Sequence, residues 1–221
     1  MKDFIAVEKQ VRANLFFSRF PCVFECSQAV LQLHYPYFWE MNRKLSMDEL
    51  HRMSPGESLG ARKLPVLLLL DNVRSMLNVG AVFRNADAFA ASGLVLCGIT
   101  ACPPAREIRK TALGAEESVH WQYFADALEA AENIKSQGYS LWAVEQATNS
   151  IPLDEVKVGT EEKICLIFGN EVEGVQQRLL NICHGCIEIP QSGAKHSLNV
   201  SVSSGVVLWH YYAQLKSSLH G

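Results

Sequence analysis

The chain has 221 residues, 48% of them hydrophobic and 19% charged, with a formal net charge of −3. That length and mix support one buried core plus an extension and exclude wholesale disorder. The slightly acidic balance excludes a global field that would attract nucleic acid, so any RNA contact must come from local basic patches.

The first region runs over residues 1–63. Met1 to Arg12 mixes charged and apolar residues and lacks the continuous apolar core of a signal peptide. Val7 to Phe20 and Ser27 to Leu33 read as helices, with Pro21 and Pro36 as breakers. Ser46-Met-Asp-Glu49 has capping-box spacing and starts a further short helix. Arg12, Arg19, Arg43, Lys44, Arg52, Arg62 and Lys63 are interleaved with Phe16, Phe17, Tyr35, Tyr37, Phe38 and Trp39. That pattern suits a helical extension that grips RNA, and it equally suits a flap whose aromatics pack and whose charges meet water.

From Leu64 the pattern becomes strand alternating with helix. Val66 to Leu70, Leu94 to Cys97, Leu141 to Val144, Ile164 to Phe168 and Cys186 to Ile189 are short apolar runs of the kind buried on both faces. Between them, Val79 to Ala91, Ala125 to Gln137, Val175 to Ile182 and Leu198 to about Lys216 carry helical periodicity. The expected fold is α/β, a parallel sheet with helices on both faces, occupying residues 64–221. No apolar run is long enough to span a membrane, and a cytoplasmic protein is expected. Seven cysteines at irregular spacing suit a reducing compartment. Cys183-His-Gly-Cys186 has the spacing of a redox or zinc pair, but without a second matching pair buried thiols are expected and no metal.

Three stretches carry candidate chemistry. The first follows the first strand: Asp71-Asn-Val-Arg74-Ser75, then Asn78-Val-Gly80 and Arg84. Ligands of open parallel sheets bind beyond the carboxyl ends of strands, where this loop sits. Asn78 is placed to cap the following helix, and Arg84 lies about one and two-thirds turns further on. The second is Phe168-Gly169-Asn-Glu171-Val-Glu173-Gly174, two carboxylates bracketed by glycines at a helix entrance. The third is Ile187-Glu-Ile189-Pro-Gln-Ser-Gly193-Ala-Lys-His-Ser197-Leu198-Asn199-Val200. There a strand is stopped by Pro190, and Ser197 is placed to cap a helix with an apolar stripe at Leu198, Val202, Gly205, Val206 and Trp209. Such strand-loop-helix turns make a pocket of backbone groups for an adenine- or ribose-bearing ligand. The glycine patterns of dinucleotide-binding folds, phosphate-loop NTPases and serine hydrolases are missing.

In order and spacing these stretches resemble the three motifs of the SpoU (TrmH-like) RNA ribose 2′-O-methyltransferases of the SPOUT superfamily. Asn78-x-Gly80-x-x-x-Arg84 is similar to the first, Phe168-Gly-Asn-Glu171-x-x-Gly174 to the second, and Ile189-Pro-Gln-Ser-Gly193-x-x-x-Ser197-Leu-Asn199-Val to the third. Gln191 stands where many members have methionine and Val172 where many have glycine. The resemblance implies a C-terminal trefoil knot, S-adenosylmethionine bound in it, a homodimer, and RNA as partner, with tRNA favoured over rRNA. It implies cofactor contacts at Gly169, Ile189, Leu198, Glu145 and Gln146, and catalytic residues at Arg84, Asn78, Glu171, Ser197 and Asn199. The family's arginine is often given the role of base, yet a guanidinium holds its proton with a pKa above about 12. Arg84 is therefore expected to grip the phosphate beside the target ribose and polarise its hydroxyl. A base or small-molecule methyltransferase, and a non-catalytic module of the same fold, are the alternatives.

Overall fold

Strand β1 (Leu64–Asp71) is apolar on both faces: Val66, Leu68 and Leu70 enter one core and Leu69 the other. Successive strand side chains point to opposite sides, so a sheet of such runs has to be covered twice. The computed structural model describes residues 43–46, 48–50, 53–160, 162–194 and 197–219, and it contains that sheet. The other strands are β2 (Ala91–Cys97), β3 (Trp121–Phe124), β4 (Ser140–Val144), β5 (Ile151–Pro152), β6 (Ile164–Phe168) and β7 (Gly185–Glu188). Every pairing is parallel, in the order β3-β2-β1-β6-β4-β7-β5.

The helices are α1 (Pro55–Gly60), α2 (Met76–Ala88), α3 (Arg106–Ala112), α4 (Ala115–Ser118), α5 (Ala127–Ser136), α6 (Gln177–Leu180) and α7 (Val200–Leu215). Phe83 of α2 and Val207, Leu208 and Tyr211 of α7 fill the core on one face. Ala130, Ala131 and Ile134 of α5 and Leu179 of α6 fill the other. Helix α2 is pinned to α7 by Asn85, whose Nδ2 donates to the Ser201 carbonyl at 2.7 Å and to Ser204 Oγ at 3.0 Å.

The five expected strands are present, while β3, β5, α3 and α4 come in addition. The helix caps differ from expectation. Ser75, not Asn78, caps α2, its Oγ accepting from the Asn78 amide at 3.3 Å. Asn199, not Ser197, caps α7, its Oδ1 accepting from the Ser201 amide at 2.8 Å. In both cases the helix boundary lies where a side-chain oxygen reaches a first-turn amide, two or three residues from the position inferred from apolar spacing. The expected stripe on α7 is also not buried: Val202 is 50% exposed and Trp209 55%. The helix is apolar nearly all round, and the sheet takes the side carrying Val207, Leu208, Tyr211 and Leu215.

The chain divides into compact units Met1–Arg52 and Met53–Gly221. Helix α1 thus belongs to the same unit as the sheet. Ser54 and Glu57 form a capping box around it, with Pro55 at its first position. In the first unit the expected box at Ser46 and Glu49 closes a 3-10 turn (Asp48–Leu50) instead of an α-helix. The Glu49 carboxylate there also receives Arg43, which holds its pKa down to about 2. The helices expected at Val7 to Phe20 and Ser27 to Leu33 lie outside the described residues.

Candidate active site

A cavity of about 470 Å³ opens where β4, β6 and β7 end, at the carboxyl edge of the sheet. Parallel strands leave their unpaired last residues and connecting loops there, free to be shaped for a ligand. Glu145, Gln146, Gly169, Glu171, Ile189, Ser197, Leu198 and Asn199 all line it. Eight of the ten site residues inferred from sequence are therefore brought to one cavity; Asn78 and Arg84 are not among its lining residues.

The loop after β6 folds back on itself. Asn170 and Gly174 exchange backbone hydrogen bonds at 3.1 and 2.9 Å. Asn170 Oδ1 accepts from the amides of Val172 and Glu173, and its Nδ2 donates to the Asn72 carbonyl at 2.8 Å. The turn is tight enough that a Cβ on Gly169 would fall inside the backbone of Gly174 and Val175. Gly174 has φ +69°, and a Cβ there would collide with the Glu145 carboxylate. That carboxylate braces the loop from β4, accepting from the amides of Val175 at 3.1 Å and Gln146 at 2.9 Å. Underneath, Asp71 is fully buried and accepts from Asn72 Nδ2 and from both nitrogens of Gln176.

The three motifs meet in one hydrogen-bonded chain. Asn199 Nδ2 donates to Asn78 Oδ1 at 3.1 Å, and Asn78 Nδ2 donates to Glu171 Oε1 at 3.1 Å. Glu171 also accepts from the amides of Ser75 at 3.1 Å and Arg74 at 3.0 Å. Burial opposes ionisation of Glu171. The backbone amides of Arg74, of Glu171 itself and of Ser75, with the Asn78 side chain, outweigh burial and hold its carboxyl below the usual range. Asn78 is thus the link between the second and third motifs, though it does not itself line the cavity.

Arg84 is exposed on α2, and among the described residues its side chain makes no hydrogen bond or ion pair. One chain does not bring it to the cavity. Sequence reasoning assigned no role to Asn170, Asp71 or Gln176. Asn170 could have been found as the amide between Gly169 and Glu171, since Asn side chains organise tight loops by bonding nearby amides.

The Cys183-His-Gly-Cys186 segment lies on β7 and the turn before it. Its thiols are half-buried, and burial pushes Cys183 up to about 11. Cys97 is pushed up to about 12, by burial first and by nearby Asp71 next. Among the described residues no cluster of His, Cys, Asp and Glu could hold a metal ion. No helix among them is long and apolar enough to cross a membrane.

A seven-stranded parallel sheet with a loop-built cavity at its carboxyl edge defines a ligand-binding α/β fold. Residues 65–209 match the SpoU rRNA Methylase family, and the chain belongs to that family. It is 28% identical over 197 residues to the 23S rRNA (guanosine-2′-O-)-methyltransferase RlmB of Vibrio vulnificus, covering 81% of this chain and 78% of that one. It is 28% identical over 181 residues to the tRNA (guanosine(18)-2′-O)-methyltransferase TARBP1 of Mus musculus, covering 80% of this chain but 11% of that one. The AdoMet-bound rRNA methyltransferase from Sinorhizobium meliloti superposes with a TM-score of 0.64 at 26% identity, over 74% of this chain and 62% of that one.

Proposed function

We propose that this protein transfers a methyl group from S-adenosylmethionine to the ribose 2′-hydroxyl of a guanosine in RNA, with tRNA favoured and rRNA the second candidate. The observation that carries the reading is the Asn199–Asn78–Glu171 chain beside the cavity, because it gathers polar groups from all three motifs at one place. Guanosine is supported by the specificity named for both relatives. Residues 64–221 would carry the activity in the cytoplasm, and the basic, aromatic region 1–63 would contact RNA.

The residues present fit the cofactor. A cavity of about 470 Å³ falls within the roughly 300–1,000 Å³ of small-molecule sites. Gly169, Ile189 and Leu198 offer backbone groups, and Glu145 and Gln146 stand beside them. When bound, the cofactor supplies an electrophilic methyl on a sulfonium. The ribose hydroxyl is a weak nucleophile: its oxygen would bond the methyl carbon as the carbon–sulfur bond breaks to leave a neutral thioether, and its proton would pass to solvent water. Arg84 grips the phosphate next to the ribose and polarises that hydroxyl with its planar, two-pronged donor set. Asn199 and Ser197 orient the acceptor, and Glu171, fixed by backbone amides, holds Asn78 and through it Asn199.

Arg84 would reach a cofactor through dimerisation. The exposed Val202, Val206 and Trp209 make an apolar face on α7 of the kind that ordinarily meets a partner. A second copy covering it would complete the site. The C-terminal knot is supported by membership of the family, whose fold implies it.

The test is transfer of tritium from labelled cofactor to bulk tRNA and, separately, to rRNA, with nuclease mapping of the label. Label on a guanosine ribose is expected; label on a base, or none, refutes the reading.

A further inference from the structure

Asp71 ends β1 and is fully buried, yet it is in no ion pair with a described residue. Its carboxylate accepts from Asn72 Nδ2 at 2.8 Å, from Gln176 Nε2 at 2.6 Å and from the Gln176 amide at 3.2 Å. Burying a carboxylate is costly unless its oxygens are used, and the function proposed above gives this one no part.

The neighbouring side-chain amides cannot turn over. Asn72 Oδ1 accepts from the Ile99 amide at 3.1 Å, and Gln176 Oε1 accepts from Arg178 Nε at 3.0 Å. Each must therefore present its nitrogen to Asp71. Arg178 is held in turn by Asp126 at 2.7 Å.

Gln176 stands where the loop after β6 runs into α6. From Gly169 to Gly174 that loop lines the cavity, whereas neither Asp71 nor Gln176 does. Asn170 ties the start of the loop to the Asn72 carbonyl, and the Val175 amide ties its end to Glu145. The residue after Val175 is the one that Asp71 holds by backbone and side chain together.

We propose that Asp71 is a positioning residue for the cofactor. Acting through Gln176, it fixes the far end of the loop and so the backbone groups that the loop offers to S-adenosylmethionine. The inference rests on the cofactor assignment above. It makes loop position depend on which member of the pair donates and which accepts.

Exchanging those roles in the full-length protein tests this. Asp71→Asn sets a donor against a donor whichever way it is turned, and Gln176→Glu sets two carboxylates together. In Asp71→Asn/Gln176→Glu the new amide donates to the new carboxylate, whose other oxygen still accepts from Arg178. Hydrogen exchange of residues 170–176 without ligand should be about tenfold faster in each single variant and within about threefold of the parent in the double. Calorimetry with S-adenosylhomocysteine, at a temperature where melting shows every variant folded, should give about tenfold weaker binding in the singles and recovery to within about threefold in the double. Gln176→Ala, which leaves the buried carboxylate in place, should loosen the loop severalfold even if Asp71→Asn does not fold. Unchanged loop exchange in Gln176→Ala overturns the proposal. So do singles that lower only the melting temperature, or a double no better than the singles. Loop exchange that follows the expected pattern in a protein whose parent does not bind S-adenosylhomocysteine would keep Asp71 as the loop's positioning residue and count against the cofactor assignment.

Discussion

Asn199 Nδ2 donates to Asn78 Oδ1 at 3.1 Å, joining residues 121 positions apart in the chain. One belongs to the cap of α7 and the other to the first turn of α2. Because Asn78 spends its amide on Glu171, its carbonyl is left as the acceptor, and this orientation fixes that of Asn199. Changing Asn78 to alanine should therefore act at a distance. It removes one partner from the Glu171 carboxylate and one from Asn199, at about 1 kcal/mol of stability or less for the neutral amide pair and about 1.5–3 kcal/mol at most for the bond to the charged group. Methyl transfer should fall at least about tenfold, because a misplaced acceptor costs far more in rate than in folding. Thermal melting compared with single-turnover transfer checks this. A variant as active as the parent would remove Asn78 from the machinery.

Glu171 makes the site sensitive to acid. Its carboxyl is depressed in the folded protein. Its stabilising contribution is accordingly complete above the ordinary carboxylate pKa of about 4.3 and is lost as pH falls through the lower folded value. Glu171→Gln should be less stable than the parent at pH 7, and the difference should close as pH drops below about 4. Urea midpoints across that range measure it, and a difference that is constant with pH would contradict the assignment.

Gly169 is fixed by its own chain before any ligand arrives. A Cβ there would fall inside the backbone of Gly174 and Val175. Gly169→Ala should cost at least the roughly 1–3 kcal/mol of overpacking, together with cofactor binding, as the loop is displaced. Equilibrium unfolding with and without S-adenosylhomocysteine separates the two losses. Full stability with binding alone reduced would place Gly169 in contact with ligand instead.

The central strands were legible in the sequence because both faces of the sheet are buried, so Val66 to Leu70 and Ile164 to Phe168 stand out as unbroken apolar runs. Strand β3 was not, since as an edge strand it exposes Trp121, Gln122 and Tyr123 and carries no core signature. Eight site residues converge because the motif loops all leave the same edge of one parallel sheet. The side-chain order within them was not legible: Ser75 and Asn199 take the caps, which frees Asn78 to bridge. Nor does sequence spacing say which side of an all-round apolar helix the sheet will choose, and α7 turned Val202 and Trp209 outward.

That outward face bears on assembly. Val206→Glu places a charge in the middle of the exposed apolar strip of α7 without entering the core, so folding should survive. Sedimentation at micromolar protein should show a dimer for the parent and a monomer for the variant, with transfer activity lost alongside. A parent that is monomeric and active would refute the shared site.

Arg84 is exposed, and its side chain leaves no described partner behind when removed. Arg84→Ala should therefore fold normally and bind S-adenosylhomocysteine with unchanged affinity. Its rate of tritium transfer to tRNA should drop by on the order of 100-fold or more, the usual cost of losing a group that acts mainly in the transition state. Arg84→Lys should fail nearly as badly, because an ammonium keeps the charge without the planar fork. Near-full transfer by Arg84→Ala, under conditions where the parent labels a ribose, would contradict the central claim.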